Sequence, residues 1–239
     1  MDTAVIIGVG PERGLGAQLS RRFASHGLHV VMGGRTQSRL DAVAADIGRD
    51  GGQASGVATD ATREEDIVAL FARAADIGSV KLVIYNAGNN TPGKVGDMSA
   101  DFFEQAWRIG CFGGFVTARE ALRAMGDKGG TLLFTGASAS LRGKAGFGAF
   151  AAAKAALRAL AQAVAKEAGP AGIHVAHVII DGAINGDKVR EKFPDYAAKL
   201  GEDGLVDLGA IVDAYEFLWR QPPGGWSFEL DLRTASESW

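Results

Sequence analysis

One cysteine, Cys111, is present in the 239 residues, so no disulfide can form within the chain. Neither it nor any pair of the four histidines shows zinc-ligand spacing, which removes a disulfide staple and a structural metal as supports for the fold. A reducing, cytoplasmic setting is the expectation. Positive charge is not in excess: 25 Lys and Arg stand against 28 Asp and Glu, a net −3, and this argues against a nucleic-acid surface. No block of Lys and Arg suits a membrane surface. No apolar run is long enough to span one either, since the Ala-rich stretch from Gly148 to Ala165 carries Lys154 and Arg158. The chain enters its first apolar run by Ala4 without the basic start of a signal peptide. No Pro- or Ser-rich linker divides it, and its 34 glycines follow no fixed period, so repeats are excluded and one domain over 1–239 is expected. With 47% hydrophobic and 22% charged residues a packed core is within reach, and the partner implied is a small molecule.

Apolar segments and turns alternate from the start. Ala4 to Val9 reads as a buried strand and Leu15 to His26 as a helix. The pattern repeats with strands at Leu28 to Met32, Ala54 to Ala58 and Val80 to Tyr85, and with helices at Ser38 to Ile47 and Arg63 to Ile77. A long helix from about Ser99 to Met125 follows, then a strand at Thr131 to Thr135, a helix from Phe147 to Ala168, and a strand at His174 to Ile180. Helical segments near Lys188 to Leu200 and Gly209 to Leu218 precede the last strand. Continuous apolar strands between helices are the mark of a parallel sheet covered on both faces. Trp226 to Arg233 instead alternates apolar with polar residues, which predicts a half-buried strand at the edge. The expected fold is α/β, a doubly wound sheet of about seven mostly parallel strands.

Between the first strand and helix lie Gly10, Gly14 and Gly16, spaced GxxxGxG. Missing Cβ atoms there let backbone N–H groups approach a phosphate at the helix N-terminus, although a tight turn alone would also explain the glycines. This spacing, the run Asn86-Ala87-Gly88 after the fourth strand, and Lys154 on the Phe147 to Ala168 helix together resemble the short-chain dehydrogenase/reductase family over nearly the whole chain. The resemblance implies a Rossmann-type fold and a nicotinamide dinucleotide held by Gly10, Arg13, Gly14, Leu15, Gly16, Arg35, Asp60, Asn86, Ala87, Gly88, Lys154, Gly182 and Ile184. An NAD-preferring site normally offers Asp or Glu at the end of the second strand. Here the sequence is Gly33-Gly34-Arg35-Thr36, and Arg13 adds a second cation in the loop, so NADP(H) is the expected cofactor. Arg35 as an idle surface residue is the alternative.

The catalytic pattern of the family is broken. It uses a Tyr four residues before the Lys, a Ser on the preceding strand and an Asn on the long central helix. This chain has Phe150 before Lys154, Ala137 with Ser138 beside it, and Gly110 in the Asn position. A Phe ring has no proton to give. Asp181, in the segment Asp181-Gly182-Ala183-Ile184 where the family has Pro-Gly, is either a substitute acid beside the nicotinamide or a capping residue facing solvent. Ser138 either orients a substrate oxygen or bonds local backbone. Tyr85 reads as core, whereas Tyr196 falls in a segment of about 185–205 that forms a substrate lid in the family. His174 and His177, three apart on a strand, point to opposite faces and cannot share a metal.

The function implied is an NADP(H)-dependent oxidoreductase for a small carbonyl or imine-type substrate, with a catalytically silent NADP(H)-binding protein, a sensor or assembly partner, as the alternative. The 147–168 helix is apolar nearly all round, so its second face is expected to meet another subunit in a homodimer or homotetramer.

Overall fold

The computed structural model describes residues 1–237. Strands β1 (Asp2–Ile7), β2 (His29–Gly34), β3 (Gln53–Ala58), β4 (Ser79–Tyr85), β5 (Gly130–Thr135) and β6 (Ile173–Asp181) are followed by a short parallel pair, β7 (Ala183–Ile184) with β8 (Leu205–Val206), and by β9 (Glu229–Arg233). The main sheet has seven parallel strands in the order β3-β2-β1-β4-β5-β6-β9. The expected doubly wound α/β fold is therefore observed. β1 shows why its sequence reads as an unbroken apolar run. Ala4 and Ile6 join the core on one side of the sheet, while Val5 and Ile7 join the core on the other.

The helices are α1 (Leu15–Ser25), α2 (Gln37–Arg49), α3 (Glu64–Ile77), α4 (Ala100–Trp107), α5 (Gly113–Met125), α6 (Gly148–Ala168), α7 (Asp187–Lys192), α8 (Pro194–Leu200) and α9 (Leu208–Trp219). α1, α2 and α9 cover one face through Leu19, Phe23, Leu40, Val43, Ile211 and Tyr215. α3, α5 and α6 cover the other through Ile67, Leu70, Val116, Ala121, Leu157 and Val164. Among the described residues no helix is long and apolar enough to cross a membrane.

Two features depart from the sequence reading. The helix expected over 99–125 is interrupted by a π turn at Arg108–Phe112. Within that turn the Ile109 carbonyl accepts from the Tyr85 hydroxyl at 2.6 Å, a partner outside the helix. The β7–β8 pair, two residues a side, was not expected, and it ties together the two ends of the 185–205 segment. The last strand does lie at the edge, paired only with β6, and begins at Glu229 rather than Trp226.

Candidate cofactor and catalytic site

The strand order reverses between β1 and β4, so a crevice opens beyond their carboxyl ends, the usual ligand position in such sheets. Glycine is required where the first turn meets the far side of that crevice. Gly8 has φ +97°, and a Cβ on it would lie 2.5 Å from the Ala87 nitrogen. Asn86 locks the junction, its side-chain amide donating to the Gly8 carbonyl at 3.1 Å. A Cβ on Gly16 would fall 2.6 Å from the Gly8 carbonyl oxygen, so α1 starts in contact with the strand end. A Cβ on Gly10 would meet open space. The N-cap of α1 is Gly14, with no side-chain cap and no acidic residue in the first turn, and Leu15 opens the helix. Uncapped N–H groups and the positive end of the helix dipole fit the phosphates of a dinucleotide.

The flanking residues divide into two groups. Arg35 follows β2, is exposed, and has no ion-pair partner among the described residues. Asp60 is half-buried, its carboxylate accepting from the Thr62 backbone N–H at 2.9 Å and from the Thr62 hydroxyl at 2.8 Å. Arg13 engages the start of α7 through its backbone. Its N–H donates to the Asp187 carboxylate at 2.9 Å, and its carbonyl accepts from the Asp187 N–H at 3.1 Å. A Cβ at Gly186 would lie 2.5 Å from that same carbonyl oxygen, so only glycine permits the contact. Gly182 is exposed between β6 and β7, and Ile184 packs half-buried on the core beneath α9.

Lys154 lies on the buried face of α6, 4% exposed, and its ammonium donates to the Thr135 carbonyl at the end of β5 at 2.8 Å. A side chain on Gly88 would stand 3.4 Å from its Nζ, so Gly88 leaves room above the cation. Burial, reinforced by nearby Lys188, pushes its pKa down to about 8. Phe150 is half-buried with its ring 5.9 Å from Nζ, so the helical spacing brings the pair together as expected. Ser138 begins a short 3-10 turn after β5, and its half-buried hydroxyl has no hydrogen-bond partner among the described residues. The local backbone bond open to it is therefore not made. Gly110 cannot be replaced by Asn without movement, because its Cβ would lie 2.5 Å from that of Ala153.

Asp181 does not face solvent as one reading held. It is 2% exposed at the end of β6 and accepts from the Arg142 guanidinium at 2.9 Å, with Arg233 at 3.5 Å. A carboxylate held by two cations is a structural anchor for the loop carrying Arg142. Tyr85 and Tyr215 are fully buried, bonded to the Ile109 carbonyl and, at 2.6 Å, to the Thr135 hydroxyl, and burial raises both phenols far above their ordinary range. Tyr196 is exposed on α8. Cys111 is buried, which pushes its thiol up. His174 bonds the Ser227 carbonyl and His177 the Glu229 carboxylate, and no group of three metal-ligating side chains occurs among the described residues.

The sequence reading missed a buried chain behind the Ser138 turn. The Ser140 hydroxyl lies 3.3 Å from His177 Nε2, His177 Nδ1 lies 3.0 Å from Glu229, and Arg158 clamps Glu229 at 2.6 and 2.8 Å. Burial holds the His177 pKa down at about 4. A His within a fully buried, mostly apolar strand is a signal that a polar partner must exist, although sequence does not say which. Lys188, whose ammonium reaches the Asn90 side chain at 3.0 Å, was also missed.

Fold and site together define a dinucleotide-binding α/β protein. The chain belongs to the short chain dehydrogenase family, whose pattern it matches over residues 3–197, a family of oxidoreductases that bind a nicotinamide cofactor. It is 30% identical over 181 residues to the uncharacterized oxidoreductase YuxG of Bacillus subtilis, covering 74% of this chain and 26% of that one. Against a versicolorin reductase of Emericella nidulans the identity is 28% over 60% of this chain and 55% of the relative. The chain thus spans about half or less of these curated relatives. Among solved structures, a short-chain dehydrogenase from Rhodopseudomonas palustris is 33% identical with a TM-score of 0.83, covering 97% of this chain and 98% of that one.

Proposed function

We propose that the chain is a single-domain, cytoplasmic, NADP(H)-dependent oxidoreductase that acts on a small carbonyl or imine-type substrate through a non-standard proton-transfer site. The observation that carries this reading is Lys154, a buried cation at the crevice with a phenyl ring where the family has a phenol. A nicotinamide bound here would supply or accept the hydride. Burial brings the Lys154 pKa down to about 8, so Nζ is largely protonated at neutral pH and gives up its proton more readily than an ordinary lysine, and the Ser138 hydroxyl, without a partner among the described residues, is available to a substrate oxygen or nitrogen. Asp181 is left out of the proton path because Arg142 and Arg233 hold its carboxylate.

Cofactor choice rests on Arg35, exposed and without an ion-pair partner among the described residues after β2, where the sequence offers no carboxylate, with Arg13 as the second cation. NADPH is expected to bind at least tenfold more tightly than NADH by calorimetry, about 1.4 kcal/mol, and Arg35→Ala to narrow the gap. Equal affinities overturn the cofactor assignment. Ketones, aldehydes and cyclic iminiums are then assayed by NADPH absorbance, with the activated iminiums expected to react fastest. Binding of NADPH with no turnover of any acceptor would replace the enzyme by a silent NADP(H)-binding protein.

A further inference from the structure

Lys188 occupies a place in the lid that nothing in the family pattern assigns. It follows Asp187, whose two backbone and side-chain bonds fasten the start of α7 to the glycine loop at Arg13. From that anchored position its ammonium crosses to Asn90, on the segment following β4, and spans the two walls of the crevice at 3.0 Å. The nearest carboxylate in sequence, Asp187, is already taken by the Arg13 N–H. No Lys of the described residues forms an ion pair with an acid here, yet Lys188 lies in the field of Arg35 and Lys192, and Lys154 lies in the field of Lys188. Neighbouring cations repel one another unless an anion joins them. On the proposed reading Arg35 marks the adenosine end and Lys154 the nicotinamide end. Lys188 follows the residue bonded to the glycine loop at Arg13, beside the uncapped start of α1 where a dinucleotide carries its diphosphate.

We propose that Lys188 binds the diphosphate bridge of the dinucleotide, exchanging the Asn90 side-chain Oδ1 for a phosphate oxygen, so that the lid itself supplies a cofactor ligand. The assignment rests on the dinucleotide reading above and adds to the glycine loop a charged contact from a separate segment. Since the start of α7 is already bonded to that loop, only the side chain has to move.

The test is calorimetric titration of NADPH and of ADP-ribose, which has the diphosphate but neither 2′-phosphate nor nicotinamide. Wild type is compared with Lys188→Met, Lys188→Arg and Asn90→Ala. Lys188 is exposed, so unchanged melting temperatures are expected for its variants. Lys188→Met is expected to weaken both ligands about tenfold, Lys188→Arg to recover most of the loss, and Asn90→Ala to leave affinity equal or higher. Three outcomes with wild-type binding intact overturn the Lys188 assignment alone: no loss in Lys188→Met, a loss confined to NADPH, or an equal loss in Asn90→Ala. The second would place the ammonium on the 2′-phosphate and the third would make the Asn90 bond a lid fastening. Failure of wild type to bind either ligand overturns the dinucleotide reading together with this one.

Discussion

Lys154 carries its charge into the protein with the Thr135 carbonyl as its hydrogen-bond partner, and both stability and rate register that. Its pKa lies near 8 when folded and at the ordinary 10.5 when unfolded, so between these values the unfolded chain binds more protons. Stability is therefore expected to rise with pH across that window, and the full cost of the buried charge applies below it. Lys154→Met should remove this slope in melts taken from pH 7 to 10.5 and be neutral or stabilising at pH 7. In a functioning site, carbonyl reduction should fall as pH passes about 8, and Phe150→Tyr should raise turnover by placing a phenol beside the ammonium. A flat pH profile in wild type would exclude Lys154 as the proton donor. The pairing of Phe150 with Lys154 was legible because four residues make one helical turn. The ion pair of Asp181 with Arg142 was not, because 39 residues separate them and no local period connects them.

Among the elements, the helix that reads as continuous from Ser99 to Met125 shows where periodicity stops being informative. Its apolar spacing runs through Gly110, but the turn that breaks it lies where a hydroxyl from β4, Tyr85, reaches the Ile109 carbonyl. The π turn sets Gly110 against Ala153, the residue before Lys154, with no space for a side chain. Gly110→Asn, which would restore the family residue, is expected to cost about 1–3 kcal/mol through overpacking, despite the better helix propensity of Asn. That corresponds to a fall of roughly 2–4 °C in Tm per kcal/mol at this size. Urea unfolding should show a lower midpoint at unchanged slope, and Ala153→Gly in the same chain should recover part of the loss. Wild-type stability in Gly110→Asn would mean that the α5 start can shift freely away from α6. The β7–β8 pair escaped the sequence reading for a simpler reason, since two residues a side are too few to display a period.

For the whole molecule the doubly wound, mostly parallel sheet followed from the alternation of apolar runs and helical periods, and the edge position of β9 from its change to period two, whereas the order β3-β2-β1-β4-β5-β6-β9 is set by which strands meet in space and was not read from the chain. The second apolar face of α6 was read in the same way, and the chain by itself leaves that face open. Ala155, Ala159 and Ala163 are exposed along α6, and α4 packs beside it with Phe103 and Trp107 at 44% and 39% exposure, followed by Phe115 on α5 at 43%. Large aromatic side chains next to a row of alanines form a surface on which two helices can approach closely, and their area is apolar enough to favour burial. We therefore expect light scattering at micromolar concentration to give a dimer or a tetramer. Ala159→Glu should yield a monomer or an insoluble chain, because the contact would bury a carboxylate with no partner. Phe217→Glu, on α9 across the sheet, should retain association through α6 and give at least a dimer. A wild-type mass of 24.8 kDa would overturn the assignment, and Ala159→Glu remaining fully associated would move the contact to another face.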